Sequence, residues 1–403
     1  WVDTPLTFNP DLTHTRASFW TKELTKKLKE IEPILLHKKF SYTKGLGIFI
    51  PFQPAPRGIL GNHFGSAISC NAPIYSALEE SGYMPKVINL NELSEISILI
   101  TPYAQVINRE EGEKIKNFVK NGGTLISTPW LASFSKYGNP YTVYPSDESG
   151  LSELLGFKLI NTSQDLNVEE IIIDNPEYPE IKGLVIKSKG KDKVINISPD
   201  VKIISSFKDG TPAILERKYG KGRVIYLNFI YDWDNWWNSF YEKYRENYRK
   251  LVDYLIRKDG RVKKEYFISF VSAEKTELNK GWWGCFMKEL PEKGEAIPWW
   301  ASQLYSDPKE KIKYLFVFSD HRSPIIEGEI NLEEKNIRVF DLLERKEIKK
   351  NENGNYNIEL KPGDGILLSI VKNDEIPKSI NVSMPSQINT GENLNINISV
   401  EGV

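Results

Sequence analysis

Residues 121–130 read NGGTLISTPW, an apolar strand running into a tight turn, the place where many α/β proteins present a nucleophile. Such chemistry needs a hydroxyl or thiol beside a histidine that a carboxylate orients. The turn after TLIS instead offers Thr128, Pro129 and Trp130, with no thiol and no histidine near in sequence. Cys70 begins a helical stretch and Cys285 lies in a strand-rich part, so both read as small buried hydrophobes. His14, His37, His63 and His321 are scattered, without metal-ligand spacing. No catalytic residue, metal ligand or cofactor is therefore assigned. Gly58, Gly61 and Gly65 match neither the dinucleotide nor the phosphate-loop spacing. Their loop, ILGNHFGS, does follow the first strand, where such sheets bind ligands, and this makes Asn62, His63 and Phe64 contact candidates. Loop packing is the plainer role for all of them.

Seven of the 10 tryptophans cluster in YDWDNWWNSFY (231–241), GWWG (281–284) and IPWW (297–300). Indole faces stack on sugar rings while neighbouring Asp and Asn bind hydroxyls, yet the same residues anchor cores and interfaces. Trp233, Asp234, Trp236, Trp282, Trp283, Trp299 and Trp300 are candidates for sugar or subunit contact, with domain packing the alternative. Trp237 falls on a helix stripe and is assigned to the core. Asp232 and Asp234, two apart in a turn, read as solvated or capping rather than as a hydrolytic pair.

The elements that must position these residues follow from periodicity. Leu24, Leu28, Ile31 and Leu35 share a helix face that Pro33 bends or ends, read as the last helix of a preceding domain. GLGIFIP (45–51), KVINL (86–90), ISILITPY (96–103) and TLIST are apolar and β-branched, as buried parallel strands are. Between them a helix is expected over 71–81, capped by Asn71, with Pro73 in its first turn and Gly82 closing it. A second helix opens on the capping-box spacing Asn108–Glu111 and ends at Asn121-Gly122-Gly123. Further on, AILERKY and RVIYLNF form a hairpin through Gly220-Lys221-Gly222, and a long amphipathic helix ends near 258. From 262 to 372, EYFISFV, KYLFVFS, IIEGEINL, IRVFDLL, YNIEL and GILLSIV suggest an antiparallel sandwich. After Pro377, the alternation of Leu394, Ile396, Ile398 and Val400 suggests the start of an immunoglobulin-like domain.

Totals bound the function. Lys and Arg number 53 against 54 acidic residues, a net charge of -1 with no long run of one sign, so nucleic acid and anionic membrane are not indicated partners. Two cysteines are too few for a disulfide framework, and no run of about 18 apolar residues offers a membrane span. The 27% of charged residues, led by Glu and Lys, leans towards a heat-adapted source. Sequons at Asn161, Asn196, Asn381 and Asn397 permit glycosylation on export.

The run SILITPYAQVINREEGEKIKNFVKNGGTLISTPW, with IYSALEESGYMPKVINL before it and GKGRVIYLNF behind, resembles the middle domain of family 42 glycoside hydrolases, the β-galactosidase trimerisation domain. RVFDLLERKEI and IELKPGDGILLSI are similar in style to the small β domain that ends those enzymes. The resemblance implies an amidotransferase-like, flavodoxin-like parallel sheet over 43–258, a β-sandwich over 259–374, an immunoglobulin-like start over 375–403, and in 1–42 the terminal helix of a catalytic barrel. It further implies retaining hydrolysis of β-galactosides by two glutamates of that barrel, which needs about 250 residues and is expected upstream. The glutamates map to no position here. Homo-oligomer contacts and a lining over the substrate are implied for the ILGNHFGS loop and the Trp-rich segment. The Trp-Trp pairs beyond 281 and the final segment depart from the family, and they favour a large, extracellular or cell-surface protein. A carbohydrate-binding or structural protein on the same scaffold, without hydrolase activity, is the alternative. An amidotransferase is set aside because the cysteine is missing.

Overall fold

A computed structural model describes residues 38–51, 66–160, 169–188, 190–231, 243–274, 300–307, 311–319, 325–361, 364–373, 379–383 and 397–401, together with Lys26, Lys29 and Glu32, which are helical. Most of the helix expected before residue 39 lies outside these.

The first half is built on β2 (Leu46–Ile48), helix α1 (Ser66–Glu80), β3 (Lys86–Val87), β4 (Ile98–Thr101), helix α2 (Arg109–Lys120) and β5 (Thr124–Ser127). After an excursion, β11 (Val201–Ser206), β12 (Pro212–Tyr219), β13 (Gly222–Leu227) and a long helix, Lys243–Arg257, complete it. The seven strands lie in the order β11-β12-β13-β5-β4-β2-β3. From β13 to β3 all pairs are parallel, while β11 and β12 are antiparallel. The hairpin turns at Tyr219↔Gly222 as the glycines require. A Cβ on Gly222 would fall 2.2 Å from the carbonyl oxygens of Gly123 and Val119, so only glycine lets the hairpin approach the end of α2.

Alternate strand residues serve two cores, as they must where both faces of a sheet are covered. Ile98, Ile100, Ile126, Ile225 and Leu227 pack with Leu78 of α1 and with Tyr248, Leu251 and Leu255 of the long helix. Leu99, Leu125, Val224 and Tyr226 pack with Ile115 and Val119 of α2. The expected capping box is present: Asn108 Oδ1 accepts from Glu111 N at 2.9 Å and Glu111 Oε2 from Asn108 N at 2.9 Å.

Two local expectations are corrected. The first helix starts at Ser66, so Asn71 is buried inside it rather than capping it, and Pro73 is internal. Asn-x-Pro signals a helix start only where the chain upstream cannot continue the helix, and SAISC can. KVINL pairs only through Lys86–Val87 because β3 is an edge strand with a partner on one side. Sequence reading also missed an ion pair: Arg245 and Glu80, both buried, join the long helix to α1, with Arg249 and Glu246 paired beside them at 2.7 Å.

The second half is a sandwich of two antiparallel sheets. One runs β1-β15-β16-β21-β18-β19 and the other β14-β17-β20, with β1 (Lys39–Phe40), β14 (Tyr266–Glu274), β15 (Trp300–Asp307), β16 (Ile312–Ser319), β17 (Ile325–Leu332), β18 (Ile337–Asp341), β19 (Lys346–Ile348), β20 (Tyr356–Leu360) and β21 (Gly365–Lys372). Its core holds Trp300, Leu304, Leu315, Val317, Ile326, Ile330, Val339 and Leu368. The edge strand β1 (Lys39–Phe40) comes from the far end of the chain and pairs Lys39↔Ser306 and Phe40↔Tyr305. At the junction of the halves, a Cβ on Gly82 (φ 83°) would fall 2.2 Å from Tyr266 O, so glycine there permits the contact. Beyond the sandwich, Ser379–Ser383 and Asn397–Glu401 form one antiparallel pair. Among the described residues no helix is long and apolar enough to cross a membrane.

Candidate functional site

In an open parallel sheet, ligands and reactive groups gather at the C-terminal ends of the strands. Here those ends belong to β4, β5 and β13, and the chain beyond each turns sharply. Tyr103 after β4, and Trp130 and Ala132 after β5, take left-handed conformations with φ of 46°, 68° and 54°. Each is unfavourable for a residue with a side chain, by about 1–2 kcal/mol. The surroundings hold them there. Tyr103 N donates to Thr128 Oγ1 at 2.7 Å, Trp130 N to Tyr144 Oη at 3.2 Å, and Ala132 N to Ala104 O at 2.9 Å. Tyr103 Oη in turn accepts from Tyr231 N at 3.1 Å, which ties the end of β13 to the end of β4. The Tyr103 and Trp130 rings meet at 5.6 Å and 59°.

Behind the turn lies a buried polar group. Tyr144 donates to Asp192 Oδ2, and Asn228 Nδ2 donates to the carbonyls of Asp192 and Pro212 at 2.8 and 2.9 Å. Asp192 and Asn228 are both fully buried. Burial, then the neighbouring Tyr226 and Asp192, push the Tyr144 phenol well above its ordinary value, and burial does the same to Tyr226. Both therefore stay protonated at any physiological pH, which keeps the Tyr144 hydroxyl a donor to Asp192. The hydroxyl in the turn after β5, Thr128, is 3% exposed and its oxygen already accepts the Tyr103 amide, and Ser127 and Thr101, which end β5 and β4, are fully buried. This arrangement fixes a turn and offers no activated nucleophile.

Of the residues singled out from sequence, Asn62, His63, Phe64, Trp233, Asp234, Trp236, Trp282, Trp283 and Trp299 lie outside the described residues, as do all four histidines and Cys285. Trp300 is described: it starts β15 and is buried in the sandwich core, which is its packing role. β2 and β13 end on the same sheet edge as Tyr103 and Trp130, and the described chain after them runs to Pro51 and Tyr231. Sequence reasoning missed Tyr103, Tyr144, Asp192 and Asn228. Asp192 sits in KGKDKV, which reads as a solvated charge run, so nothing local signals its burial.

The chain is an α/β sheet whose β5 tip is closed by an aromatic turn, joined to an antiparallel β-sandwich. Residues 72–229 match the model of the β-galactosidase trimerisation domain, so this segment carries such a domain, as the sequence resemblance implied. The β-galactosidase Pbg of Clostridium perfringens is 22% identical over 223 residues, which are 50% of this chain and 31% of that protein. A catalytic mutant of the GH42 β-galactosidase Gan42B from G. stearothermophilus superposes at a TM-score of 0.57 with 18% identity, over 90% of this chain and 45% of that one. The β-galactosidase of Bacillus circulans sp. alkalophilus gives 0.57 at 16%, over 89% and 46%. The fold is thus that of the middle and C-terminal domains of such enzymes. The chain spans less than half the length of each of these three relatives.

Proposed function

We propose that this chain is the assembly and substrate-lining portion of a glycoside hydrolase resembling β-galactosidase, with the two catalytic glutamates on a barrel encoded upstream. The observation that carries the reading is the closed tip of β5, where Trp130 is buried at the position a nucleophile would take in an amidotransferase-like fold. A sheet edge whose described residues hold a special backbone in place with enclosed hydrogen bonds supports contact and shape rather than bond-making. Residues 52–65 and 232–242 follow in sequence the strands that end at this edge, and we assign them the contacts to barrel and sugar; the partners are carbohydrate and further copies of the chain. The pair Ser379–Ser383 and Asn397–Glu401 is read as the start of an immunoglobulin-like domain.

The test is the intact mass of the native polypeptide beside the 46.3 kDa of this chain, with nitrophenyl β-galactoside hydrolysis assayed on both. The reading expects about 250 additional N-terminal residues and activity only in the longer protein. Activity in the 403-residue chain alone, or a native mass equal to it, would overturn the reading.

A further inference from the structure

The tip of β5 presents no nucleophile, but the turn that closes it does present something. Strained backbone persists only where the structure around it imposes it, and it marks places where geometry matters. Here the geometry it sets is the direction of the hairpin that follows. Phe134, 3% exposed, roots this hairpin through Phe134 N donating to Gln105 O at 2.9 Å. Phe134 bridges Pro140, Ser135 N donates to Asn139 O at 2.9 Å, Gly138 N to Ser135 O at 2.9 Å, and Tyr141 N to Ser133 O at 2.8 Å. At the apex stands Tyr137, 79% exposed, more than any other large apolar side chain described. Beside it runs β6 (Val143–Tyr144), an edge strand among the described residues, with Val143 exposed.

We infer that this hairpin is a preformed anchor that seats Tyr137 in a second copy of the chain. The inference rests on the assembly reading above and names the surface that reading lacks. Three observations support a second copy over a sugar. The hairpin lies inside the segment that matches a trimerisation domain. One face of the Tyr137 ring is taken by Lys136 Nζ, 5.0 Å from its centroid, whereas a sugar-stacking platform keeps its face open. The apex carries a cation, Lys136, while the flank carries the exposed carboxylate Glu148, which accepts from Tyr141 Oη at 2.9 Å and has no cation beside it among the described residues, so apex and flank of successive copies are complementary in charge. A ring with an odd number of subunits is closed by contacts between two different patches, and a projecting tip meeting a flank is such a contact. A rigid aromatic loses little freedom when it docks, which is why such residues dominate interface energetics.

Sedimentation equilibrium on the wild type, Tyr137→Ala and Lys136→Glu tests this, with Val87→Ala on the opposite edge of the sheet as control. Tyr137→Ala should weaken self-association by about tenfold or more at unchanged Tm, Lys136→Glu by less, and Val87→Ala not at all. If Tyr137→Ala lowers Tm, Tyr137→Phe and Lys136→Glu decide the question at the intact fold, and the inference then requires Lys136→Glu to weaken assembly. Self-association that is unchanged in Tyr137→Ala overturns the anchor and leaves the assembly reading standing. A monomeric wild type overturns both.

Discussion

The two edges of the seven-stranded sheet are held by opposite means. At the C-terminal edge the groups are enclosed and mostly uncharged: Tyr103, Thr128, Tyr144 and Asn228 make hydrogen bonds around three left-handed residues, with the buried Asp192 carboxyl behind them. At the N-terminal edge they are ionic. Thr124 Oγ1 donates to Asp259 Oδ2 at 2.5 Å, Arg261 pairs with Asp259 at 2.6 Å and donates to Gly122 O at 2.6 Å, and Arg223 pairs with Glu216 at 3.2 Å. Burial acts to raise the Asp259 carboxyl, but Arg261, Thr124 and Arg223 outweigh it and hold it below its ordinary value. Enclosed hydrogen bonds are little screened by salt, whereas ion pairs near the surface yield to it. A turn whose direction matters belongs on the first kind of edge.

The largest effect is expected at the enclosed edge. Trp130→Ala removes a side chain that is 1% exposed, and urea denaturation should show a loss of about 3–5 kcal/mol. A loss under about 1 kcal/mol would mean that the turn does not depend on its aromatic plug. The next test concerns a carboxylate that escapes the pairing rule of the charged half. Glu79 has no cation partner among the described residues, and burial, then Glu80, push it up from 4.5 to about 7. The folded state therefore favours its protonated form. That contribution is complete below about pH 4.5 and is lost as pH rises to about 7. Glu79→Gln should accordingly match the wild type near pH 4.5 and exceed it by about 2–3 kcal/mol at pH 8. Equal pH profiles for the two proteins would refute the assignment. The smallest effect is Arg261→Ala, about 0.5–1 kcal/mol at low salt, because the side chain is 43% exposed. In 1 M salt the difference should shrink. If it persists undiminished, the carbonyl contacts of Arg261, rather than its charge, hold that edge.

Legibility followed the same division. The strands, the capping box and the hairpin were readable because apolar runs, Asn-x-x-Glu and Gly-Lys-Gly are local signals with local causes. The closed strand tip was readable as the lack of a nucleophile in STPW. Its supports were not, since Tyr103, Tyr144, Asp192 and Asn228 meet only in the folded sheet. Charged residues misled in the same way: Arg245 and Glu80 look like solvated helix positions and are in fact enclosed. β15 went unseen because WASQLYSD opens on a tryptophan pair that drew attention to stacking, while its alternation of Trp300, Ser302 and Leu304 inward is the ordinary mark of a strand.

The pairing of Lys39–Phe40 with β15 bears on how the chain is made. That strand leaves the ribosome before the entire α/β half, yet the strand it joins is translated only after that half is complete. The sandwich therefore cannot close in the order of synthesis, and its outer edge remains unpaired until β15 emerges. Because the joined segments are so far apart in sequence, a large loop must close before the contact forms, which makes this pairing a late event in folding. An internal cut between the halves would leave two fragments that still share a strand, and release from one another would require the edge to be peeled away.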